Sequence, residues 1–145
     1  MRIRIQQLDP DLKLPGRANP GDAGYDLYAR IDVRVPPAGG RVVVPTGIAL
    51  AIPEGFGGFV QPRSGLAMRH GITIVNAPGL IDSGYRNEVG VLLLNTDPHE
   101  PFDVKRGERI AQLVIQRVYD IDWEVVESLD DTQRGLGGWG SSGRE

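Results

Sequence analysis

The sequence contains no cysteine, which excludes disulfides, thiolate metal sites and cysteine nucleophiles. Its two histidines, His70 and His99, are far apart and lack a matching serine or carboxylate motif. We therefore expect neither a Ser-His-Asp triad nor a histidine-rich metal site. No apolar run approaches the ~20 residues needed to span a bilayer, and the first residues lack the apolar core of a secretory signal. We expect a cytoplasmic protein with no membrane partner.

Lysine is also scarce, since only Lys13 and Lys105 among the 16 cationic residues are lysine and the rest are arginine. Arginine is the side chain suited to bidentate phosphate contacts, although a compositional bias is the better explanation for most of these residues, with Arg63 and Arg134 in the informative contexts. The formal net charge of −3 argues against a surface built for duplex DNA or other polyanions. We expect no nucleic-acid partner.

Glycine and proline are plentiful, at 20 and 11 of 145 residues, and they separate short β-branched runs along the whole chain. This pattern is typical of an all-β protein, and the many short strands favour a jelly-roll-like sandwich or barrel. One short helix is expected at Ser64–His70, with Ser64 as its N-cap. The predicted strands are Ile3–Ile5, Tyr25–Ala29, Arg41–Val44, Gly47–Ile52, Gly57–Gln61, Ile72–Val75, Glu88–Asn95, Ile110–Val118 and Trp123–Val126.

The chain is predicted to divide into a β domain over residues 1–127 and a glycine-rich C-terminal segment over residues 128–145. That segment has almost no core-forming residues, so it is either a frayed terminus or an arm that orders on a ligand. Two predicted strands, Glu88–Asn95 and Ile110–Val118, carry apolar residues on both faces. They are therefore either central strands or strands that contact another copy of the chain.

The segment PRSGL, Pro62–Leu66, combines three features that bind anions. It opens the predicted helix with outward-facing N–H groups, and it carries the guanidinium of Arg63 and the hydroxyl of Ser64. Gly65 allows a ligand to approach the backbone closely. The segment is either a phosphate site or an ordinary capped turn.

The segment NAPGLIDSGY, Asn76–Tyr85, is interpreted as a tight hairpin that ends in one carboxylate and one aromatic ring. The Asn76 amide can donate and accept, and the hairpin backbone could pair with the edge of a base. Tyr85 could lie beneath a sugar ring. By spacing alone, Asp82 is either a functional carboxylate or a turn residue exposed to water.

Two further polar residues lie in predicted strands. Gln112 stands among apolar neighbours and needs hydrogen-bond partners, either from a nearby loop or from a ligand. Asp26 stands near the start of a strand, where a turn cap is the simpler interpretation.

Taken in order, AGYDL, PRSGL, NAPGLIDSGYRNEVGV, GERIAQLVI and RGLGGWGSSG resemble the five motifs of the trimeric dUTPase family, over about Ala23 to Gly143. The resemblance implies a jelly-roll-like homotrimer with three active sites, each shared by three chains. It also implies hydrolysis of dUTP to dUMP and pyrophosphate with Mg²⁺, by attack of water on the α-phosphorus. Such a reaction limits uracil incorporation into DNA and supplies dUMP for dTMP synthesis.

The resemblance also implies a role for each matching residue. Asp82 matches the general base that deprotonates the water, and Tyr85 matches the ring under the deoxyribose. The uracil-reading positions are Asn76, Gly79, Leu80 and Ile81. The phosphate-binding positions are Arg63, Ser64, Gly65 and Gln112. Asp26 matches an acidic position near the water shell of the metal. The positions of the closing arm are Arg134, Trp139, Gly140, Ser141 and Ser142.

The chain departs from the family pattern at four positions. Trp139 stands where phenylalanine is usual, Ser142 where threonine is common, and Asn87 where glycine is frequent. Gly90 replaces a larger side chain found in some relatives. Two alternatives stay open: a dCTP deaminase or bifunctional relative, and a nucleotide-binding regulatory module of the same fold.

Overall fold

The computed structural model describes residues 1–133 and 135, which contain ten β-strands and one helix. The elements in chain order are β1 (Arg4–Gln7), β2 (Tyr25–Tyr28), β3 (Val33–Val35), β4 (Arg41–Ala51), β5 (Phe56–Gln61), α1 (Ser64–His70), β6 (Ile72–Ile74), β7 (Gly79–Ile81), β8 (Glu88–Asn95), β9 (Phe102–Val104) and β10 (Arg109–Arg117).

The strands form two four-stranded sheets, in the orders β1-β4-β8-β6 and β2-β10-β5-β7, and a separate β3-β9 pair. All pairings are antiparallel. Because neighbours in a sheet are distant in sequence, the chain repeatedly crosses between the sheets. One core contains residues of both sheets, such as Leu27 and Leu113 from one and Val44 and Leu93 from the other. The predicted all-β, jelly-roll-like fold with one short helix is confirmed.

Strand β8 is central in its sheet and also has an apolar outer face. Val89, Val91 and Leu93 are buried, whereas the intervening Leu92 is only partly buried. Leu92 is paired with Val43 of β4, whose side chain is 63% exposed. The structure confirms that β8 is a central strand, whereas contact of its outer face with another copy of the chain stays a prediction.

The predicted strands differ from the observed strands at several places. The segments predicted as Arg41–Val44 and Gly47–Ile52 form one strand, β4, whose pairing with β8 shifts between Pro45 and Ala49. Gly47 has φ 74°, so glycine produces an irregularity within the strand and not a turn between two strands. Strands β3, β7 and β9, each of three residues, were not predicted as strands.

The strand predicted at Trp123–Val126 is wrong. No strand follows Arg117 in the described residues, and positions 118–133 are all exposed. The apolar side chains there are not buried against the described part of the chain, with Trp123 85% and Val125 96% exposed. The boundary between residues 127 and 128 stays a prediction.

Helix α1 begins at Ser64, so its N-cap is Arg63 and not Ser64 as predicted. Arg63 has extended backbone angles and makes no side-chain capping hydrogen bond. The Ser64 side chain is consequently exposed at the first helical position, free of a capping role. The helix ends at Gly71 in the left-handed conformation. Across the described part of the chain, no helix has the length and apolar character needed to cross a membrane.

Candidate active site

Three polar residues form a row across one four-stranded sheet. In the pairing register, Gln112 of β10 lies opposite Asp26 of β2 and opposite Gln61 of β5. Directly opposed residues of antiparallel strands share a face, with Cβ atoms about 4.5–5.5 Å apart. Asp26 is 8% exposed, and both glutamines are half-buried. We call Gln61, Gln112 and Asp26 the polar row.

A β-bulge brings Arg109 to the same face as the polar row. In a regular strand, residues three apart point to opposite faces, so Arg109 and Gln112 would be separated. The register with β2 shifts between Arg109 and Ala111, and Ile110 is the extra residue. Arg109 is thereby paired with Tyr28, on the face of Asp26, and its Nη1 donates to Asp26 Oδ2 at 3.1 Å.

Arg63 is held at the end of the polar row by two contacts. Its Nη1 donates to the backbone oxygen of Arg109 at 2.6 Å, and its Nε lies 3.9 Å from Asp26 Oδ1. The Asp26 carboxylate therefore balances two guanidinium groups. Because Arg63 immediately precedes α1, these contacts also fix the position of Ser64 and Gly65.

A cleft of about 650 Å³ opens beside this cluster. Its cationic side chains are Lys13, Arg17, Arg63 and Arg109, and its carboxylates are Asp26, Asp103 and Glu108. Such a volume suits a small-molecule ligand. Neither Ser64 nor Gln112 lines the cleft, so the cleft includes only part of the residues predicted to bind phosphate.

The segment Asn76–Tyr85 is not the hairpin that was predicted. Strand β6 pairs with β8 in one sheet and β7 pairs with β5 in the other, so the chain between them crosses from sheet to sheet. The crossing includes a cis peptide bond between Ala77 and Pro78. The prediction failed because turn-forming residues mark a change of direction but not the partner of the next strand.

Strand β7 nevertheless provides what the hairpin was expected to provide. It lies at the edge of its sheet and pairs only with β5, so backbone N–H and C=O groups on its other edge have no strand partner among the described residues. Gly79 and Ile81 are buried and Leu80 is 60% exposed. The Asn76 amide packs beside Gly79, with Nδ2 3.5 Å from the point where a Cβ would lie.

Asp82 and Tyr85 occupy the turn that follows β7. The Tyr85 N–H donates to the Asp82 backbone oxygen at 3.1 Å, and the Tyr85 hydroxyl donates to the Glu88 backbone oxygen at 3.0 Å. These two hydrogen bonds hold Tyr85 at its backbone and at its hydroxyl, and the residue is 40% exposed. The Asp82 side chain is exposed, and in residues 1–133 we find no ion pair to it.

The structure does not bring Asp82 to Arg63 within one chain. Gly79 lies opposite Val60 and Ile81 lies opposite Gly58, so β7 runs away from the end of β5 that leads to Arg63. Asp82 therefore lies near the level of Gly57, four residues or about 13 Å along β5 from Gln61. The predicted site residues form two groups. We call them the β7 group (Asn76, Gly79, Leu80, Ile81, Asp82 and Tyr85) and the phosphate-binding group (Asp26, Arg63, Ser64, Gly65 and Gln112).

Sequence reasoning missed Gln61 and Arg109. Gln61 could have been found from its position two residues before Arg63 in the same extended segment. Arg109 could not, because the bulge reverses the face that alternation predicts. Residues 1–133 and 135 contain no group of three His, Asp or Glu side chains able to hold a metal ion. Five predicted positions lie outside the described residues: Arg134, Trp139, Gly140, Ser141 and Ser142.

The fold and these two groups define an all-β protein with a cleft lined by charged side chains. Among its described residues, the edge of β7 beside the exposed Asp82 has no strand partner. The dUTPase family model matches residues 11–143, and the chain belongs to the dUTPase family. The deoxyuridine 5'-triphosphate nucleotidohydrolase of Thermobifida fusca is 57% identical over 143 residues, covering 99% of this chain and 79% of that protein.

A second relative and a solved structure agree with this assignment. The deoxyuridine 5'-triphosphate nucleotidohydrolase of Rhodococcus erythropolis is also 57% identical over 143 residues, covering 99% of this chain and 87% of that protein. The dUTPase of Staphylococcus bacteriophage 80alpha, solved with dUPNHPP, is 29% identical with a TM-score of 0.87 and covers 98% of each chain.

Proposed function

We propose that this protein hydrolyses dUTP to dUMP and pyrophosphate, by attack of water on the α-phosphorus, in the cytoplasm. The observation that carries the proposal is the similarity along 99% of the chain to proteins named deoxyuridine 5'-triphosphate nucleotidohydrolase. The reaction would limit uracil incorporation into DNA and supply dUMP for dTMP synthesis.

The β7 group supplies recognition of the base and the sugar. The free edge of β7 and the Asn76 amide offer donors and acceptors in fixed positions for the edge of uracil. Cytosine presents a different donor and acceptor pattern, so it would leave buried polar groups unpaired at about 1–3 kcal/mol each. The methyl group of thymine would be excluded sterically. The anchored ring of Tyr85 lies under the deoxyribose and leaves no room for a 2′-hydroxyl.

Asp82 is the general base of the proposed reaction. Its carboxylate has no ion-pair partner in residues 1–133, so it is available to accept a proton from water and to bind the 3′-hydroxyl. Its place in the turn fixed by Tyr85 holds it next to the sugar.

The phosphate-binding group binds the triphosphate through the Arg63 guanidinium, the Ser64 hydroxyl, the backbone at Gly65 and the Gln112 amide. Arg109 and Asp26 keep Arg63 in place. Catalysis of this kind depends mainly on positioning and charge stabilisation.

Mg²⁺ would be held mainly by the triphosphate of the substrate, with Asp26 as the nearest acidic residue of the phosphate-binding group. The absence of a carboxylate cluster in residues 1–133 and 135 is compatible with an ion that has few direct protein ligands. Asp26 is engaged by Arg109 at 3.1 Å, so its role is limited to the water shell of the ion. When bound, Mg²⁺ would neutralise charge that develops on the phosphates.

The proposed active enzyme is a homotrimer with its sites at the subunit interfaces. The separation between the β7 group and the phosphate-binding group supports this arrangement, because within one chain the two groups lie at different levels along β5. The apolar outer face around Val43 and Leu92 and the exposed apolar residues after Arg117 also support association. Asp82 of one chain would act with Arg63 and Gln112 of a neighbour. The arm that contains Arg134, Trp139, Gly140, Ser141 and Ser142 would come from the third chain.

Pyrophosphate release from dUTP, UTP, dCTP and dTTP tests the reaction, with Mg²⁺ present in every assay. We expect dUTP to be turned over much faster than the other three. Equal turnover of all four would overturn the proposal. Formation of a uracil nucleotide from dCTP would instead identify a deaminase, and binding of dUTP without turnover would identify a regulatory module.

Mixing two inactive variants tests the shared site. Chains with Asp82→Asn and chains with Arg63→Ala are unfolded together and refolded as hybrids. If the two residues act across an interface, about a quarter of the sites in a random mixture receive both native residues and regain activity. If both residues act within one chain, no hybrid site is intact and the mixture stays inactive. Light scattering supplies the independent check that the particle contains three chains.

A further inference from the structure

Gly24, just before β2, lies directly under the Gln112 side chain. A Cβ at position 24 would lie 2.5 Å from Oε1, 3.0 Å from Cβ and 3.3 Å from Cδ of Gln112. The three nearest atoms all belong to this one side chain. Gly24 is not among the glycines with positive φ. The backbone therefore does not require glycine at this position, whereas the space taken by Gln112 does.

We infer that Gly24 is a positioning residue that acts through Gln112. Because Gly24 has no side chain, the Gln112 amide can lie against the start of β2, in line with Asp26 on one side and Gln61 on the other. The inference deepens the proposed function and rests on it, since Gln112 is there a ligand of the triphosphate. A methyl group at position 24 would force the amide out of the polar row.

The contacts differ in how easily they can relax. The amide end of Gln112 can rotate away from a new methyl group. The Gln112 Cβ, at 3.0 Å, is fixed to β10 and can yield only by a shift of a few tenths of an ångström between strands. Gly24→Ala is therefore expected to displace the amide and to leave the pairing of β2 with β10 in place.

Gly16 offers a matched control on the other neighbour of β2. It pairs with Asp26 in an isolated bridge, and a Cβ there would meet only the Leu14 backbone oxygen at 3.9 Å. Gly16→Ala makes the same chemical change beside the same strand without touching Gln112.

The experiment compares full-length wild type, Gly24→Ala, Gln112→Ala, the double variant and Gly16→Ala. For each protein, kcat and KM for dUTP and the melting temperature are measured. We expect Gly24→Ala to lose about tenfold or more in kcat/KM, as expected for one lost hydrogen bond to a charged group. We expect Gln112→Ala to lose a similar factor, the double variant to be no worse than Gln112→Ala, and Gly16→Ala to match wild type.

Two results would overturn the inference: wild-type kcat/KM in Gly24→Ala, or losses that multiply in the double variant. If Gly24→Ala fails to fold, the double variant decides, since restored folding identifies the clash with the amide and continued unfolding rejects it. The NMR signal of the Gln112 side-chain amide, assigned by its loss in Gln112→Ala, should move in Gly24→Ala. This signal reports on the contact even if the wild type does not hydrolyse dUTP, so the two proposals can fail separately.

Discussion

Asp82→Asn separates a catalytic role from a structural one. The substitution keeps the size of the side chain and removes its charge. Asp82 is exposed, and its backbone oxygen, which accepts from the Tyr85 N–H, is unaffected by the change. Surface substitutions without such contacts change the free energy of unfolding by about 0.5 kcal/mol or less. We therefore expect the stability to change little.

The effect on turnover should be much larger. A positioned general base contributes about 10²–10⁴ in rate, or about 3–5 kcal/mol of activation free energy. We expect kcat for dUTP to fall by that factor. Since Asn keeps a polar group beside the 3′-hydroxyl, the affinity for an imido analogue of dUTP should stay within a few-fold of wild type.

Three measurements on the same preparation test this prediction: pyrophosphate release, calorimetric titration with the imido analogue, and thermal unfolding. Asp11→Asn is the matched control, because Asp11 is an exposed aspartate remote in sequence from both groups of site residues. A general-base role for Asp82 is refuted if Asp82→Asn retains more than a tenth of the wild-type kcat. It is also refuted if turnover and melting temperature fall together, since Asp82 would then hold the turn.

Three further predictions concern stability and the C-terminal arm. Asn95 is fully buried and donates to the backbone oxygens of Glu100 and Val35 while accepting from the Asp97 N–H, so Asn95→Ala should cost about 2–4 kcal/mol in urea unfolding. A cost below about 1 kcal/mol would contradict this. The hydrogen bond from Arg106 lowers the pKa of Asp9 from 3.8 to about 2. The folded-state value is the lower one, so this stabilisation is present above pH 4 and is lost as the pH falls from about 4 to about 2. The melting temperatures of wild type and Asp9→Asn should converge as the pH falls through that range. A constant difference between the two melting temperatures would disprove the link. Finally, a chain that ends at residue 133 should keep its melting temperature and lose most dUTP turnover, and full activity would show that the arm is dispensable.

The sequence was informative wherever short-range chemistry decides the structure. Short β-branched runs between glycine and proline residues predicted most of the strands, and the helix at Ser64–His70 was found from its good helix formers. Asp82 and Tyr85 were expected beside each other, and the Tyr85 N–H donates to the Asp82 backbone oxygen. These features depend on residues that are close in sequence.

Features that depend on strand pairing were not predicted. Nothing in Asn76–Tyr85 indicates that β6 and β7 join different sheets, because pairing is chosen by distant strands such as β5 and β8. The strand at Trp123–Val126 was predicted from its apolar and β-branched residues. Those residues are exposed in the single chain, because a favourable local pattern cannot form a strand without a partner edge.

The bulge at Ile110 has a consequence for length variation in this part of the chain. Arg109 is paired with Tyr28 because one residue of β10 is left out of the ladder. Removing that residue would give a regular ladder in which Arg109 still faces Tyr28, at the cost of a side chain that is only 2% exposed. Adding a residue while the bulge is kept would instead place Arg109 opposite the fully buried Ala29, on the other face of the sheet. Shortening β10 here by one residue therefore preserves the contact between Arg109 and Asp26, whereas lengthening it by one residue disrupts that contact.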